Sequence, residues 1–110
     1  MAAHITDYEV YLRVPELLAL QKSADQLSCP DELLFQVIHQ AAELWMKLID
    51  HELQGLAAML DRTELVPALT TLRRVHHIQR QLLSSLELLF TLTPVDYMTI
   101  RTVLGRGSGQ

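Results

Sequence analysis

Residues 28–60 read SCPDELLFQVIHQAAELWMKLIDHELQGLAAML, and this stretch decides the fold. No Gly or Pro interrupts it between Pro30 and Gly55. Ser28 or Cys29 would cap a helix there, with Pro30 in the first turn, where a missing N–H is tolerated. The apolar residues recur at the three- to four-residue spacing of one helix face: Leu34, Ile38, Ala41, Trp45, Leu48, Ile49, Leu53, Leu56 and Leu60. The pattern predicts a helix to about Leu60, roughly 45 Å long at 1.5 Å per residue.

Three further helices are predicted around this one. The second long helix begins near Thr63–Pro67 and ends near Phe90, with one apolar stripe: Leu69, Leu72, Val75, Gln79, Leu82, Leu83 and Leu86. A short helix follows from a Thr93 cap to Gly105. Another short helix is predicted over residues 15–21, followed by a loop over 22–29. Residues 1–14 are predicted to form an arm without clear helical character, because Val14 precedes a proline.

The sequence therefore predicts an all-α fold with two long antiparallel helices plus two short ones, in one helical region over residues 1–110. A helix of about 45 Å is long for a 110-residue globule, whose radius of gyration would be about 13 Å. We expect the long helices to pair with another chain or to be part of a larger helical fold.

Composition excludes several classes of protein. Apolar residues make up 49% and charged residues 20% of the chain, so disorder is excluded and apolar surface is expected to be left over. The lone Cys29 excludes a disulfide scaffold. The net charge of −4 argues against a nucleic-acid partner. No apolar run is long enough for a membrane span and no secretory signal is evident, so a cytoplasmic protein is expected.

Two pairs of residues could carry chemistry. His39 follows Phe35 by four positions, so an imidazole and an aromatic ring share one helix face. That pair suits a pocket for a ring substrate or cofactor, or else a hydrogen-bonded histidine between helices. Arg101 follows Tyr97 by four positions, which suits a carboxylate receptor or an ordinary amphipathic surface.

The other candidate residues give weaker indications of a functional role. Tyr8 and Tyr11 on the arm are expected to dock onto a core or a partner subunit. Trp45 is predicted to be core, and Cys29 to be unreactive. The remaining histidines do not have the spacing of metal ligands: His4, His51, His76 and His77.

An ordered set of short motifs resembles the tryptophan 2,3-dioxygenase family of the haem-dependent aromatic-amino-acid oxygenases. The motifs run from the arm to the last helix: Tyr8-x-x-Tyr11-Leu12-Arg13, Asp31-Glu32-Leu33-Leu34-Phe35, His39-Gln40, Glu43-Leu44-Trp45, His51-Glu52-Leu53, Leu92-Thr93-Pro94, Tyr97-Met98, Arg101 and Leu104-Gly105. The resemblance covers nearly the whole chain, from Tyr8 to Gly109.

The resemblance implies an all-α enzyme with b-type haem, forming a homotetramer or dimer with intertwined N-termini. Such an enzyme opens the indole ring of L-tryptophan, or of a related aromatic amino acid, with O2 and gives N-formylkynurenine. It also implies that the iron's proximal histidine lies beyond residue 110, so this chain supplies the distal half of the site and no metal ligand.

The resemblance further implies roles for individual residues. His39 would be catalytic, as the distal histidine that hydrogen-bonds the indole N–H, and Arg101 would pair with the substrate carboxylate. The full substrate-binding set is Phe35, Gln36, Val37, Ile38, His39, Tyr97, Arg101, and Tyr8, Tyr11 and Leu12 from the arm. The cofactor-binding set is Phe35, His39, Leu86, Ser108 and Gly109.

Departures from the family pattern leave two alternatives open. Leu86, Phe90 and Gln110 stand where the family has tryptophan, glutamate and phenylalanine. These changes are compatible with a haem-dependent mono-oxygenase acting on a modified tryptophan or on tyrosine. The second alternative is a truncated, non-catalytic helical oligomerisation module.

Overall fold

A computed structural model describes residues 4–105 of the chain. Its α-helices are α1 (Asp7–Leu12), α2 (Val14–Leu17), α3 (Glu32–Asp61), α4 (Leu65–Glu87) and α5 (Pro94–Leu104). Two 3₁₀ turns, Ala24–Gln26 and Leu88–Thr91, lie before α3 and after α4. Residues 4–105 contain no strand, so the predicted all-α fold is confirmed. No helix within these residues is long and apolar enough to cross a membrane.

The two long helices form an antiparallel hairpin, as predicted. Arg74 Nη1 on α4 donates to Glu52 Oε1 on α3 at 2.8 Å, and the Thr71 hydroxyl donates to the sulfur of Met59 at 3.6 Å. Thr63 adopts a left-handed conformation at the turn between them, with φ of 57°. The hairpin makes the chain elongated, with a radius of gyration of 18.4 Å.

The start of α3 lies later than predicted. Its first residue is Glu32, and the Phe35 N–H donates the first helical bond, to the Asp31 carbonyl at 3.1 Å. Ser28 and Cys29 do not cap it, because the N-cap position is occupied by Asp31, whose side chain makes no capping bond. The predicted end is correct to one residue.

The predicted apolar stripe of α4 is only partly correct: Val75 is buried, and Leu82 and Leu86 are half-buried. The residues buried on α4 are Ala68, Thr71, Val75 and Ile78. Leu69, Leu72 and Leu83 of the predicted stripe are exposed. Trp45, predicted to be core, is half-buried. The expected surplus of exposed apolar surface is confirmed.

The arm is helical where no helix was predicted. Thr6 caps α1, since its hydroxyl accepts the Glu9 N–H at 3.1 Å and the Glu9 carboxylate accepts the Thr6 N–H at 3.4 Å. Arg13, with φ of 56°, ends α1 and separates it from α2. That second helix begins at Val14 and ends at Leu17, not at residue 21. Proline in its first turn removes only an N–H that would have no helical partner.

The last helix is as predicted. The Thr93 hydroxyl accepts the Asp96 N–H at 3.1 Å, and Gly105, with φ of 69°, ends the helix. Ile100 is the buried residue of α5.

Candidate functional site

Phe35 and His39 form a stacked pair on α3. Their ring centroids are 4.0 Å apart and the ring planes differ by 27°. Nδ1 of His39 lies 2.8 Å from the Phe35 carbonyl oxygen. Because a carbonyl oxygen can only accept, this bond requires the proton on Nδ1. In the neutral imidazole, Nε2 then has a free lone pair and can accept a hydrogen bond from a ligand N–H.

The three residues between Phe35 and His39 lie in three different environments. Ile38 is 3% exposed and belongs to the core. The Gln36 side-chain oxygen accepts the Lys22 N–H at 3.0 Å, so its carbonyl group is already occupied. Val37 is exposed. Phe35, His39 and Val37 therefore have side-chain surface on which a ligand could lie.

Tyr97 and Arg101 lie one turn apart on α5, and both are exposed. Within residues 4–105 the Arg101 guanidinium has no hydrogen bond or ion pair, and no hydrogen bond or ring contact joins Tyr97 or Arg101 to His39. The Cys29 thiol donates to the Asp96 carbonyl oxygen at 3.9 Å. This contact brings the first turn of α5, with Tyr97, to the loop that leads into α3.

The pKa of the Cys29 thiol is raised, first by desolvation and next by the nearby Asp96 carboxylate. A raised pKa keeps the thiol protonated, and only the thiolate is a good nucleophile. This agrees with the prediction that Cys29 is unreactive.

The arm does not reach the stacked pair of its own chain. Tyr8 is 69% exposed, Tyr11 is 86% exposed, and Leu12 is also exposed. No described hydrogen bond or ring contact joins these residues to Phe35 or His39.

Of the residues expected at the cofactor, Leu86 is half-buried on α4. Glu52 lies opposite Arg74, so Leu86, twelve residues further along α4, is about level with Gln40 on α3. That position is next to His39 in sequence. Ser108, Gly109 and Gln110 lie outside the described residues.

Within residues 4–105, no three His, Cys, Asp or Glu side chains are grouped so that they could hold a metal ion. His51, His76 and His77 are exposed on the long helices.

Sequence reasoning missed a buried carboxylate beside the stacked pair. Glu32 is 4% exposed, and its carboxylate accepts the Ser28 N–H at 2.7 Å and the Lys22 ammonium at 3.0 and 3.2 Å. These donors, with the Ser28 N–H first, lower the pKa of Glu32. An acidic residue at the start of a helix was visible in the sequence, but its partners were not.

A groove of about 410 Å³ lies between α3 and α4, away from the stacked pair. The residues that line it are Trp45, Thr70, Arg73, Arg74, His77, Ile78 and Gln81. Neither Phe35 nor His39 borders it, so it is separate from the candidate site.

Comparison with known proteins gives one consistent result. The family model described as tryptophan 2,3-dioxygenase matches residues 2–110. The chain is 47% identical over 102 residues to the tryptophan 2,3-dioxygenase of Saccharopolyspora erythraea, covering 93% of this chain and 36% of that protein. It is 42% identical over 104 residues to the one from Myxococcus xanthus, covering 94% and 36%. The chain thus spans about a third of the length of these relatives.

Proposed function

This chain belongs to the tryptophan 2,3-dioxygenase family, and from that membership we propose the function of the complete protein. The complete protein uses O2 to cleave the C2–C3 bond of the L-tryptophan indole. Both oxygen atoms enter the product, N-formylkynurenine, so no further reductant is needed. The chain described here supplies the distal half of the site.

The observation that carries the proposal is the orientation of His39. The bond from Nδ1 to the Phe35 carbonyl and the stacking on Phe35 fix the imidazole against rotation. Nε2 is left to accept the indole N–H of the substrate. A fixed acceptor orients the indole without a further loss of side-chain entropy, which favours the reactive geometry.

Arg101 binds the substrate carboxylate, with Tyr97 beside it on the same face of α5. The guanidinium has no other described partner, so its donors are available for a two-pronged pair with a carboxylate. The arm residues Tyr8, Tyr11 and Leu12 cover the substrate of a neighbouring subunit and exclude water. Their exposure in a single chain supports that assignment.

The family implies b-type haem as the cofactor, and the side chains present fit it. Phe35 and Leu86 offer aromatic and apolar surface to a flat ring, and the His39 ring is stacked on Phe35 beside that surface. Ser108 and Gly109 complete the expected set. When bound, the haem supplies the activation of O2. The iron's axial ligand is expected from the part of the relatives that this chain does not span.

We infer that the partners are a second copy of the chain, L-tryptophan and O2, in a cytoplasmic homotetramer or dimer. The exposed apolar side chains of the arm and of α4 support an assembly. The dioxygenase activity for which these relatives are named favours ring opening over mono-oxygenation and over a non-catalytic module.

The test uses the full-length protein with haem, L-tryptophan and ¹⁸O2. The expected product carries two labelled oxygens, whereas one labelled oxygen would indicate the mono-oxygenase alternative. Absence of both haem binding and turnover would refute the proposal.

A variant series tests the role of Arg101. Arg101→Leu should lower kcat/KM about 10- to 150-fold, since a hydrogen bond to a charged group contributes about 1.5–3 kcal/mol. Arg101→Lys should keep part of the activity. Arg80→Leu removes another exposed arginine, on α4, and should change little.

A further inference from the structure

Three side chains on α3 hold the segment that follows the arm. Gln36 accepts the Lys22 N–H at 3.0 Å through its side-chain oxygen. The Gln40 amide nitrogen donates to the Leu20 carbonyl at 3.0 Å, and its oxygen accepts from Gln21 Nε2 at 2.7 Å. Glu32 accepts the Lys22 ammonium through both oxygens. Residues 20–22 are therefore fixed along one side of α3.

The spacing of these side chains makes the attachment a continuous one. Glu32, Gln36 and Gln40 are four residues apart, so they lie one above another over about 12 Å of helix. His39 is about 60° around the helix from Gln36, at roughly 100° per residue. The attached segment therefore lies along the face of α3 next to the face that carries His39.

The same bonds attach residues 4–22, which include the arm, to the rest of the chain. Within residues 4–105, every hydrogen bond or ion pair that joins residues 4–22 to the later residues ends on Glu32, Gln36 or Gln40. Gln21 Nε2 also donates to the Leu17 carbonyl at 3.0 Å, which extends the attachment to the end of α2.

Packing does not fix the arm in place of these bonds. Neither α1 nor α2 contains a buried residue. Tyr8, Val10, Tyr11 and Leu18 all expose more than half of their surface. The direction of the arm is thus set at its attachment and not by contacts along its length.

We propose that Glu32, Gln36 and Gln40 form a clamp on residues 20–22. This clamp sets the direction in which the preceding arm extends away from α3. They are positioning residues and do not contact the substrate. By fixing the arm, the clamp places Tyr8, Tyr11 and Leu12 where they cover substrate in a neighbouring subunit. This last consequence rests on the proposed function, whereas the clamp itself rests on the hydrogen bonds of this chain.

The proposal assigns Gln36 a different role from the one that the family resemblance implies. Its side-chain oxygen is bound to the Lys22 N–H, so it acts on the arm and not on the substrate. Gln40, which no sequence pattern marked as functional, acts in the same way on Leu20 and Gln21.

The experiment compares variants of the full-length protein with haem. Gln36→Leu removes the acceptor for the Lys22 N–H, and Gln36→Glu keeps an acceptor at that place. Gln40→Leu removes the second attachment without touching the first. Gln54→Leu is the matched control, since Gln54 is exposed on the same helix and donates only to Asp50 one turn earlier.

Two quantities are measured for each variant: hydrogen exchange of the Lys22 amide, and KM and kcat for L-tryptophan. In Gln36→Leu we expect exchange at Lys22 to rise about fivefold, the effect of one net hydrogen bond. KM should rise about fivefold in Gln36→Leu and Gln40→Leu with kcat within about twofold, because substrate covering is weakened and the chemical step is not. Gln36→Glu should keep exchange at Lys22 slow, and Gln54→Leu should match the unaltered protein in both quantities.

Each of the other outcomes contradicts a different part of the proposal. Unchanged exchange at Lys22 in Gln36→Leu would show that the clamp bond is absent. Faster exchange with an unchanged KM would show that the clamp does not serve the site, while the proposed dioxygenase function stands. A fall in kcat in place of a rise in KM would place Gln36 in the chemical step and not in the arm. If the unaltered protein does not convert L-tryptophan, the proposed function fails and the exchange data alone decide the clamp.

Discussion

Removing the indole N–H or its acceptor tests the role of His39 most directly. The perturbation is a pair of changes: His39→Ala in the full-length protein, and 1-methyl-L-tryptophan in place of L-tryptophan. The methyl group replaces the indole N–H hydrogen, from which Nε2 is proposed to accept a hydrogen bond. If the hydrogen bond exists, each change removes the same interaction.

The size of the effect follows from the geometry of the stacked pair. Its imidazole is held by the 2.8 Å bond to the Phe35 carbonyl and by stacking at 4.0 Å, so Nε2 is fixed. A neutral hydrogen bond contributes about 0.5–1.5 kcal/mol, and an unpaired N–H in a closed site costs about 1–3 kcal/mol. His39→Ala should therefore lower kcat/KM for L-tryptophan about 5- to 150-fold.

The assay is steady-state kinetics of both enzymes on both substrates. With 1-methyl-L-tryptophan the substitution should change kcat/KM by no more than about twofold, since no N–H remains to be lost. His51→Ala is the control, because His51 is exposed on the same helix and outside the site. An equal loss on both substrates would refute the argument, since His39 would then act through something other than the indole N–H.

Three further predictions concern stability of the full-length protein. The pKa of Glu32 is held below its ordinary 4.5, so its bonds stabilise the fold above that pH and weaken as the pH falls. In Glu32→Gln, hydrogen exchange of the Ser28 amide should rise about tenfold at pH 7 and change less at pH 3. An equal rise at both pH values would contradict this prediction. Thr93→Ala should speed exchange in the first turn of α5 about fivefold, for a cap contributing about 1 kcal/mol, whereas unchanged exchange there would mean that the cap contributes nothing. Ile38→Ala should cost about 2–5 kcal/mol of unfolding free energy in urea titration, against under about 0.5 kcal/mol for exposed Val37→Ala; similar costs would show that Ile38 is not core.

Much of the site could be predicted from sequence because its parts are local. Phe35 and His39 meet because any two residues four apart on a helix do. Their stacking and the bond from Nδ1 to the Phe35 carbonyl need no distant residue. The same locality explains Thr93 and Gly105, whose side-chain oxygen and backbone freedom fix the ends of α5.

The capping of α1 was equally local but was missed. Thr6 and Glu9 have the spacing of a capping box, and that outweighed the β-branched and aromatic residues of the arm. Val14 precedes Pro15 and is nevertheless the first residue of α2, because a proline in the first turn of a helix breaks no bond.

The sequence by itself determined the two long helices, their antiparallel pairing and the stacked pair. Only the tertiary structure decided which face of α4 meets α3. Helix α4 carries a stripe of large leucines and a neighbouring stripe with Ala68 and Thr71, and a periodicity of 3.6 residues fits either. Small side chains at a contact favour close packing of two helices, and here Ala68 and Thr71 are buried whereas Leu69, Leu72 and Leu83 are left exposed. The burial of Glu32 against Lys22 was likewise decided by tertiary structure, because Lys22 is ten residues away and Ser28 lies before the helix begins, so helical spacing joins neither donor to Glu32.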